Sequence, residues 1–449
     1  MRGAQKAQVT HELVSAQFEF LETMSSLDQL LRAGSHEGAL SRDVERRANI
    51  VFDALSSATS KGIVDKWKGD WLKRHSEAHA IKDLDARKAA LDAVTEKARE
   101  ELKGMFEAAG DKMAGIEMAL HQVNSRPHPE DLINRAILVS AVSAFEGLVA
   151  AAYRSILSAK PEEVISGTKE FSLADLLKFA SIDDAFADSV ERRVDSALRG
   201  SIEDWAALFS KFNVSFQHLC SDWPGTVEVF LRRNAFIHTQ GKVNSLYLAK
   251  VTGSPPKGVS LALDEAYLRS AISKIMSLGM LVGSRTFLHL QPNNSLAAAG
   301  MPFLYMDELM DLGYWQCIKD VCANLKGMNP RLDLKFELRF AYWLACKKLD
   351  GLDSIKKDVE SLDVSVLRSQ FGFMRAVLLE DTDEAKSILT AASAHSEGWV
   401  GGLSTMPFLK HQKNVYREIF ASPTSLADAV GTNKDSSGKR EVDVDSGEV

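Results

Sequence analysis

The chain has 449 residues, too many for one ordinary domain, and its 45% hydrophobic and 26% charged side chains are those of a polypeptide that buries real cores. Lys and Arg number 54 against 61 Asp and Glu, a formal net charge of −7, which excludes a generic polybasic coat for nucleic acid and leaves room only for a local basic site. With 11 Pro, 28 Gly and few alternating β-branched runs, the composition points to an all-α fold.

Polar residues interrupt the first segment, MRGAQKAQVTHELVSAQF, before any apolar run develops, so no signal peptide is expected. Residues 1–125 read as an N-terminal helical region. Ala90, Leu91, Val94, Ala98, Leu102, Met105, Phe106, Ala109 and Met113 recur at steps of three and four, the stripe of a long amphipathic helix suited to a helical hairpin. His75 and His79 stand at i, i+4 with no third ligand nearby and read as solvated side chains; no metal is expected. Pro127 and Pro129 break the chain, and a second domain is expected over 126–290.

That domain opens with Ala136–Leu157, AILVSAVSAFEGLVAAAYRSIL, long enough to span a bilayer. Glu146 and Arg154 would be costly in lipid, so a buried core helix is expected instead, with no membrane association. Further helices are expected at Ser172–Phe179, through Glu191, Arg192, Arg193 and Arg199, at Ile202–Phe212, at Thr226–Ile237 after the Trp223-Pro224-Gly225 turn, and at Leu261–Leu288. Residues 291–300, QPNNSLAAAG, read as a linker. Over 301–420, the pieces 312–325, 350–362 and 380–392 each place a turn before an amphipathic helix. The third, with Ala385, Leu389 and Ala392, resembles the tetratricopeptide repeat, and an irregular helical bundle is the other reading. The tail, 421–449, is acidic and lacks aromatic residues, a composition expected to be disordered. Cys220, Cys317, Cys322 and Cys346 form no C-x-x-C pair and read as reduced core thiols of a cytoplasmic protein.

No phosphate-binding Gly-rich loop, H-E-x-x-H or nucleophile elbow occurs, and no cofactor is expected. The informative segment is TVEVFLRRNAFIHTQGKVNSLYL, 226–248, where Arg233 and Asn234 precede His238. An imidazole can take a proton from a ribose 2′-hydroxyl and return one to a leaving oxygen, and a guanidinium can hold the phosphate and its extra charge in the transition state. The bare spacing is not specific, since Arg74 and His79 show it too.

The order Arg233-Asn234-x-x-x-His238 resembles the R-N-x-x-x-H motif of HEPN domains, a helical family that includes ribonucleases. Gly241, Val243, Tyr247 and Leu248 are similar to the continuation seen in one group of these proteins, and the helix centred on Phe145-Glu146 resembles that group's long second helix. Segments 171–184 and 191–213 look like its intervening helices, so the resemblance covers about 130–290.

The resemblance implies a HEPN helical bundle and a metal-independent endoribonuclease that leaves 2′,3′-cyclic phosphate and 5′-hydroxyl ends. His238 is then the general acid and base, Arg233 the phosphate clamp and Asn234 an orienting group, with Glu146 supporting Arg233 or His238. Arg232, Arg192 and Arg193 are candidate RNA contacts. RNA is the implied substrate, a homodimer the implied assembly, and a toxin or anti-phage role with a regulatory protein or phage-derived trigger the implied setting. A non-catalytic HEPN scaffold and a protein-binding adaptor carried by 301–420 are the alternatives.

Overall fold

The computed structural model describes residues 3–34, 61–81, 84–109, 129–165, 178–328, 330–365, 367–405 and 407–420, and single residues at 49, 50, 53, 118 and 176. It is all-α: among these residues there is no strand, only one isolated bridge between Lys242 and Ser260. In chain order the α-helices are α1 (Gly3–Gly34), α2 (Lys61–His79), α3 (Leu84–Ala109), α4 (Pro129–Ala159), α5 (Pro161–Ile165), α6 (Ile182–Leu198) and α7 (Ile202–Ser210). Then come α8 (Phe216–Leu219), α9 (Trp223–Thr239), α10 (Ser245–Lys250), α11 (Glu265–Leu290), α12 (Ser295–Phe303), α13 (Met306–Leu312) and α14 (Trp315–Lys326). The last are α15 (Leu332–Asp350), α16 (Lys356–Glu360), α17 (Ser369–Leu379), α18 (Thr382–Ala394), α19 (Pro407–Lys410) and α20 (Lys413–Phe420).

Contacts divide the chain into two compact units, Met1–Thr23 with Ser143–Phe230 and Ser270–Val449, and Met24–Val142 with Leu231–Arg269. This differs from the sequential domains expected with breaks near 125 and 291–300. Pro and Gly punctuation reports where a helix must stop, whereas compact units depend on which distant faces meet, and α1, α4, α9 and α11 each contribute to both. The 291–300 stretch is not a structureless linker. The Asn294 side chain accepts from the Ala297 amide at 3.2 Å and starts α12. The expected helix at Ser172–Phe179, Met113 at the end of the first apolar stripe, and the 421–449 tail lie largely or wholly outside the described residues.

The first unit is organised around Phe145, which is fully buried and surrounded by Phe20, Trp205, Phe216 and Phe230 at centroid separations of 5.6–6.4 Å. Phe20, Phe216 and Phe230 meet it edge to face and Trp205 at a tilt, and such packing adds to the area that the rings bury. α1 reaches α11 closely because α11 carries glycines there. A Cβ at Gly279 would fall 2.3 Å from Phe20 Cε1, and one at Gly283 would fall 2.5 Å from the Gln17 side chain. Gln17 Nε2 donates to the Met280 carbonyl at 3.2 Å across the same contact. Among the described residues α4 is the one helix long and apolar enough to cross a membrane by length and composition, and 56% of that stretch is buried inside the protein. Arg154 at its end pairs bidentately with Glu191 of α6, at 2.5 and 2.7 Å, and holds that carboxyl below its usual range.

The 306–420 part of this unit is a series of antiparallel helix pairs, α14 against α15 and α17 against α18. Cys317, Ile318, Val321, Cys322 and Leu325 form the buried face of α14, and Ala385, Leu389 and Ala392 that of α18, the three residues expected there. The middle repeat is reduced to a 3₁₀ turn, Leu352–Ser354, and the five-residue α16. Cys317, Cys322 and Cys346 are buried and Cys220 half-buried, all as free thiols.

In the second unit α2 and α3 pair as the expected hairpin. Glu101 accepts from the two terminal nitrogens of Arg74, Nη2 at 2.8 Å and Nη1 at 3.1 Å, and from Trp67 Nε1 at 2.6 Å. Asp28, fully buried on α1, is held by Arg32 at 2.5 Å and by Arg269 at 3.2 Å. A carboxylate can be buried there because both its oxygens meet a guanidinium.

Candidate functional site

α9 carries Arg233, Asn234 and His238, all in the second unit. The helix ends where the sequence indicated. Gln240 and Gly241 both adopt left-handed backbone, with φ of 55° and 78°. The Gly241 amide donates to the Ala235 carbonyl at 3.0 Å and the Lys242 amide to that of Thr239 at 3.0 Å, while the Thr239 hydroxyl lies 2.7 Å from the Lys242 carbonyl oxygen. Only glycine fits at 241, because a Cβ would fall 2.3 Å from Phe236 Cε1 in addition to the positive φ.

The turn is tied down on its far side. The Leu261 amide donates to the Gly241 carbonyl at 2.8 Å, the Val243 amide to Val259 at 2.9 Å and the Gly258 amide to Val243 at 2.9 Å. Asn244 caps α10 by accepting from the Tyr247 amide at 2.9 Å. Ala235, Val243, Tyr247 and Leu261 are buried together, with Leu231, Phe236 and Val251 against them. The Arg135 guanidinium lies 5.2 Å over the Phe236 ring, and Asn134 Nδ2 donates to the Leu263 carbonyl at 2.7 Å. These contacts give the Gly241, Val243 and Tyr247 positions of the motif's continuation a physical meaning: they build the turn that fixes the end of α9.

Within that frame the three motif residues stand differently. Asn234 and His238 share a face, about 40° apart on a regular helix, whereas Arg233 lies about 140° from His238. His238 is exposed in the last turn and Arg233 and Asn234 are half-buried. Arg233 Nε is shielded from solvent, and burial pushes the guanidinium below its ordinary range, though an arginine so placed keeps its charge. Its neighbour Arg232 is engaged in the fold. It donates to the Ala262 carbonyl at 2.8 Å and the Tyr247 hydroxyl at 3.3 Å, and its guanidinium stacks 3.8 Å over the Tyr267 ring.

The remaining candidates belong to the first unit. Glu146 is half-buried on α4, next to the central Phe145. Arg192 on α6 pairs with Asp188 at 2.6 Å, and Arg193 donates to the Glu163 carbonyl. Arg74, of the other R-x4-H coincidence, is committed to Glu101, and His75 lies against Trp71 at 5.0 Å.

Two residues near the motif were not singled out from the sequence, Arg135 and Asn134. Their one signal was their place at the polar start of an otherwise apolar helix. Comparison adds no relative: no family model, curated protein or solved structure matches this chain.

Proposed function

We propose that this chain is a metal-independent endoribonuclease of the HEPN type, acting in the cytoplasm. The observation that supports this reading above the others is the end of α9. There Arg233, Asn234 and His238 occur in the motif order, His238 reaches solvent, and the Gly241 turn holds the helix end in place. A degenerate scaffold has no chemical need for that trio beside so constrained a turn.

In this mechanism His238 accepts the proton of the ribose 2′-hydroxyl, and the 2′-oxygen attacks the adjacent phosphorus. The bond to the 5′-oxygen breaks, that oxygen takes up a proton, and the products carry 2′,3′-cyclic phosphate and 5′-hydroxyl ends. Arg233 neutralises the additional charge of the pentacoordinate phosphorus; its partial burial strengthens that attraction. Asn234, on the face of His238, orients the imidazole or the phosphate. The angular separation of Arg233 and His238 on one helix favours a homodimer in which two copies of α9 face one cleft, so that each phosphate meets an arginine and a histidine without either crossing the helix. Two copies also concentrate positive charge locally in a chain of net charge −7. The toxin or anti-phage setting rests on the resemblance alone.

The test is RNA cleavage in EDTA by the wild-type chain, His238→Ala and Arg233→Ala, with product ends mapped. Cleavage by the wild type that both substitutions remove, with unchanged melting curves, is the expected result. Equal cleavage by all three would overturn the assignment.

A further inference from the structure

The cations that the sequence offers first as RNA contacts are spent on the fold: Arg232 on Ala262, Tyr247 and Tyr267, Arg192 on Asp188, and Arg193 on the Glu163 carbonyl. A different basic surface begins where α9 stops. Residues 231–263 contain Arg232, Arg233, Lys242, Lys250 and Lys257 and not one Asp or Glu, in a chain whose 61 acidic residues exceed its 54 basic ones. A stretch this long without a carboxylate supplies nothing of its own to cancel its positive field.

The fold gathers this stretch into one tied turn at the His238 end of α9. Residues 241–243 run against 258–261 through the Leu261-to-Gly241, Val243-to-Val259 and Gly258-to-Val243 hydrogen bonds at 2.8–2.9 Å, with a bridge between Lys242 and Ser260. Lys242 stands on the outgoing side of that turn and Lys257 at the start of the returning side, so backbone bonds fix the station of each. Both side chains are exposed and make no hydrogen bond or ion pair among the described residues. A Cβ at Gly258, next to Lys257, would meet nothing within 4 Å, which leaves the outer side of the returning segment open. The two aromatic rings of the stretch are not available to stack on bases, since Tyr247 is buried and Phe236 lies under Arg135. Exposed cations without an exposed ring recognise phosphates and leave base identity unread.

We propose that Lys242 and Lys257 bind backbone phosphates of an RNA strand beside the phosphate held at His238, so that the substrate is gripped by its backbone without regard to base. The identity of the ligand rests on the ribonuclease reading, and binding is therefore measured apart from cleavage. A fluorescein-labelled 2′-O-methyl oligouridine lacks the attacking hydroxyl and reports binding alone. Its anisotropy is followed across a salt series with the full chain as wild type, Lys242→Gln, Lys257→Gln and the double variant. Each single substitution is expected to reduce the slope of log K against log salt by about 0.7, the value for one phosphate contact on a single strand, and the double variant to bind about tenfold or more weaker. Melting curves should stay unchanged, because both side chains are exposed. The 2′-O-methyl oligoadenosine should bind within about threefold of the oligouridine. Lysine-dependent binding without cleavage of unmodified RNA would fail the ribonuclease reading and support the phosphate contacts. Absence of binding, wild-type slope and affinity in the double variant, a base preference of about tenfold or more, or displacement of the RNA by polyglutamate of equal charge overturns the proposal.

Discussion

The end of α9 and the helix pairs of 306–420 use polar side chains in opposite ways. In the helix pairs, charge is consumed by the fold: Lys347 gives all three donors to protein acceptors, and Asp311 lies between His411 and Lys410. At the end of α9, backbone hydrogen bonds and the Ala235, Val243, Tyr247 and Leu261 cluster carry the structure, and His238 stands in solvent outside that network. On the proposed reading, the difference separates residues whose loss unfolds from residues whose loss silences. Arg232 and Arg233 draw the line between adjacent positions, since Arg232 braces Ala262, Tyr247 and Tyr267 while Arg233 is the motif arginine.

Substitutions can break or sharpen that contrast. The largest effect is expected for His238→Ala, which should lower RNA cleavage about 10²–10⁴-fold while leaving the melting temperature unchanged. A chain that cleaves normally or melts early would place His238 with the structural residues. Gly241→Ala comes next, costing about 3 kcal/mol or more in urea unfolding, because the backbone is left-handed and the new methyl meets the Phe236 ring. Wild-type stability in that variant would show that the turn is not what fixes the helix end.

Arg232→Ala should cost about 2 kcal/mol by leaving the buried Tyr247 hydroxyl and the Ala262 carbonyl with a lost partner, yet preserve cleavage per folded molecule. Loss of cleavage in a fully folded Arg232→Ala chain would instead make it an RNA contact. The smallest effect belongs to the helix pairs. Burial and the nearby Asp333 raise the Glu337 carboxyl above its usual range, so its ionised form disfavours the fold at neutral pH. That penalty is relieved as pH falls through the raised pKa, where the folded state binds the extra proton. Glu337→Gln should therefore melt about 1–2 °C higher than wild type at pH 7, with the gap closing in acid. A gap that persisted in acid would trace the effect to something other than this titration.

Much of this was legible in the residues. The apolar stripes mark α3, α4, α9, α11 and α18, because a helix must repeat its buried face every three to four positions whatever it packs against. Thr239-Gln240-Gly241 likewise marks the stop of α9, since a left-handed backbone is a local requirement. The 291–300 stretch misleads for the complementary reason: its polar turn signal is real at Asn294, but the same asparagine begins the next helix.

Neighbouring residues alone set the helical class, the C-terminal end of α9 and the composition of the Arg233, Asn234 and His238 trio, all of which depend on residues within a turn or two of one another, whereas the Trp223-Pro224-Gly225 stretch expected as a turn is the first turn of the helix. Long-range packing is what makes Arg232 serve the fold, places Arg135 over Phe236, and brings Trp315, Lys347 and Gln412 around one pocket. Those facts require segments 30 to 101 residues apart to meet. A contact at that range is set by the packing of whole helix faces, which leaves no mark on the spacing of neighbouring residues.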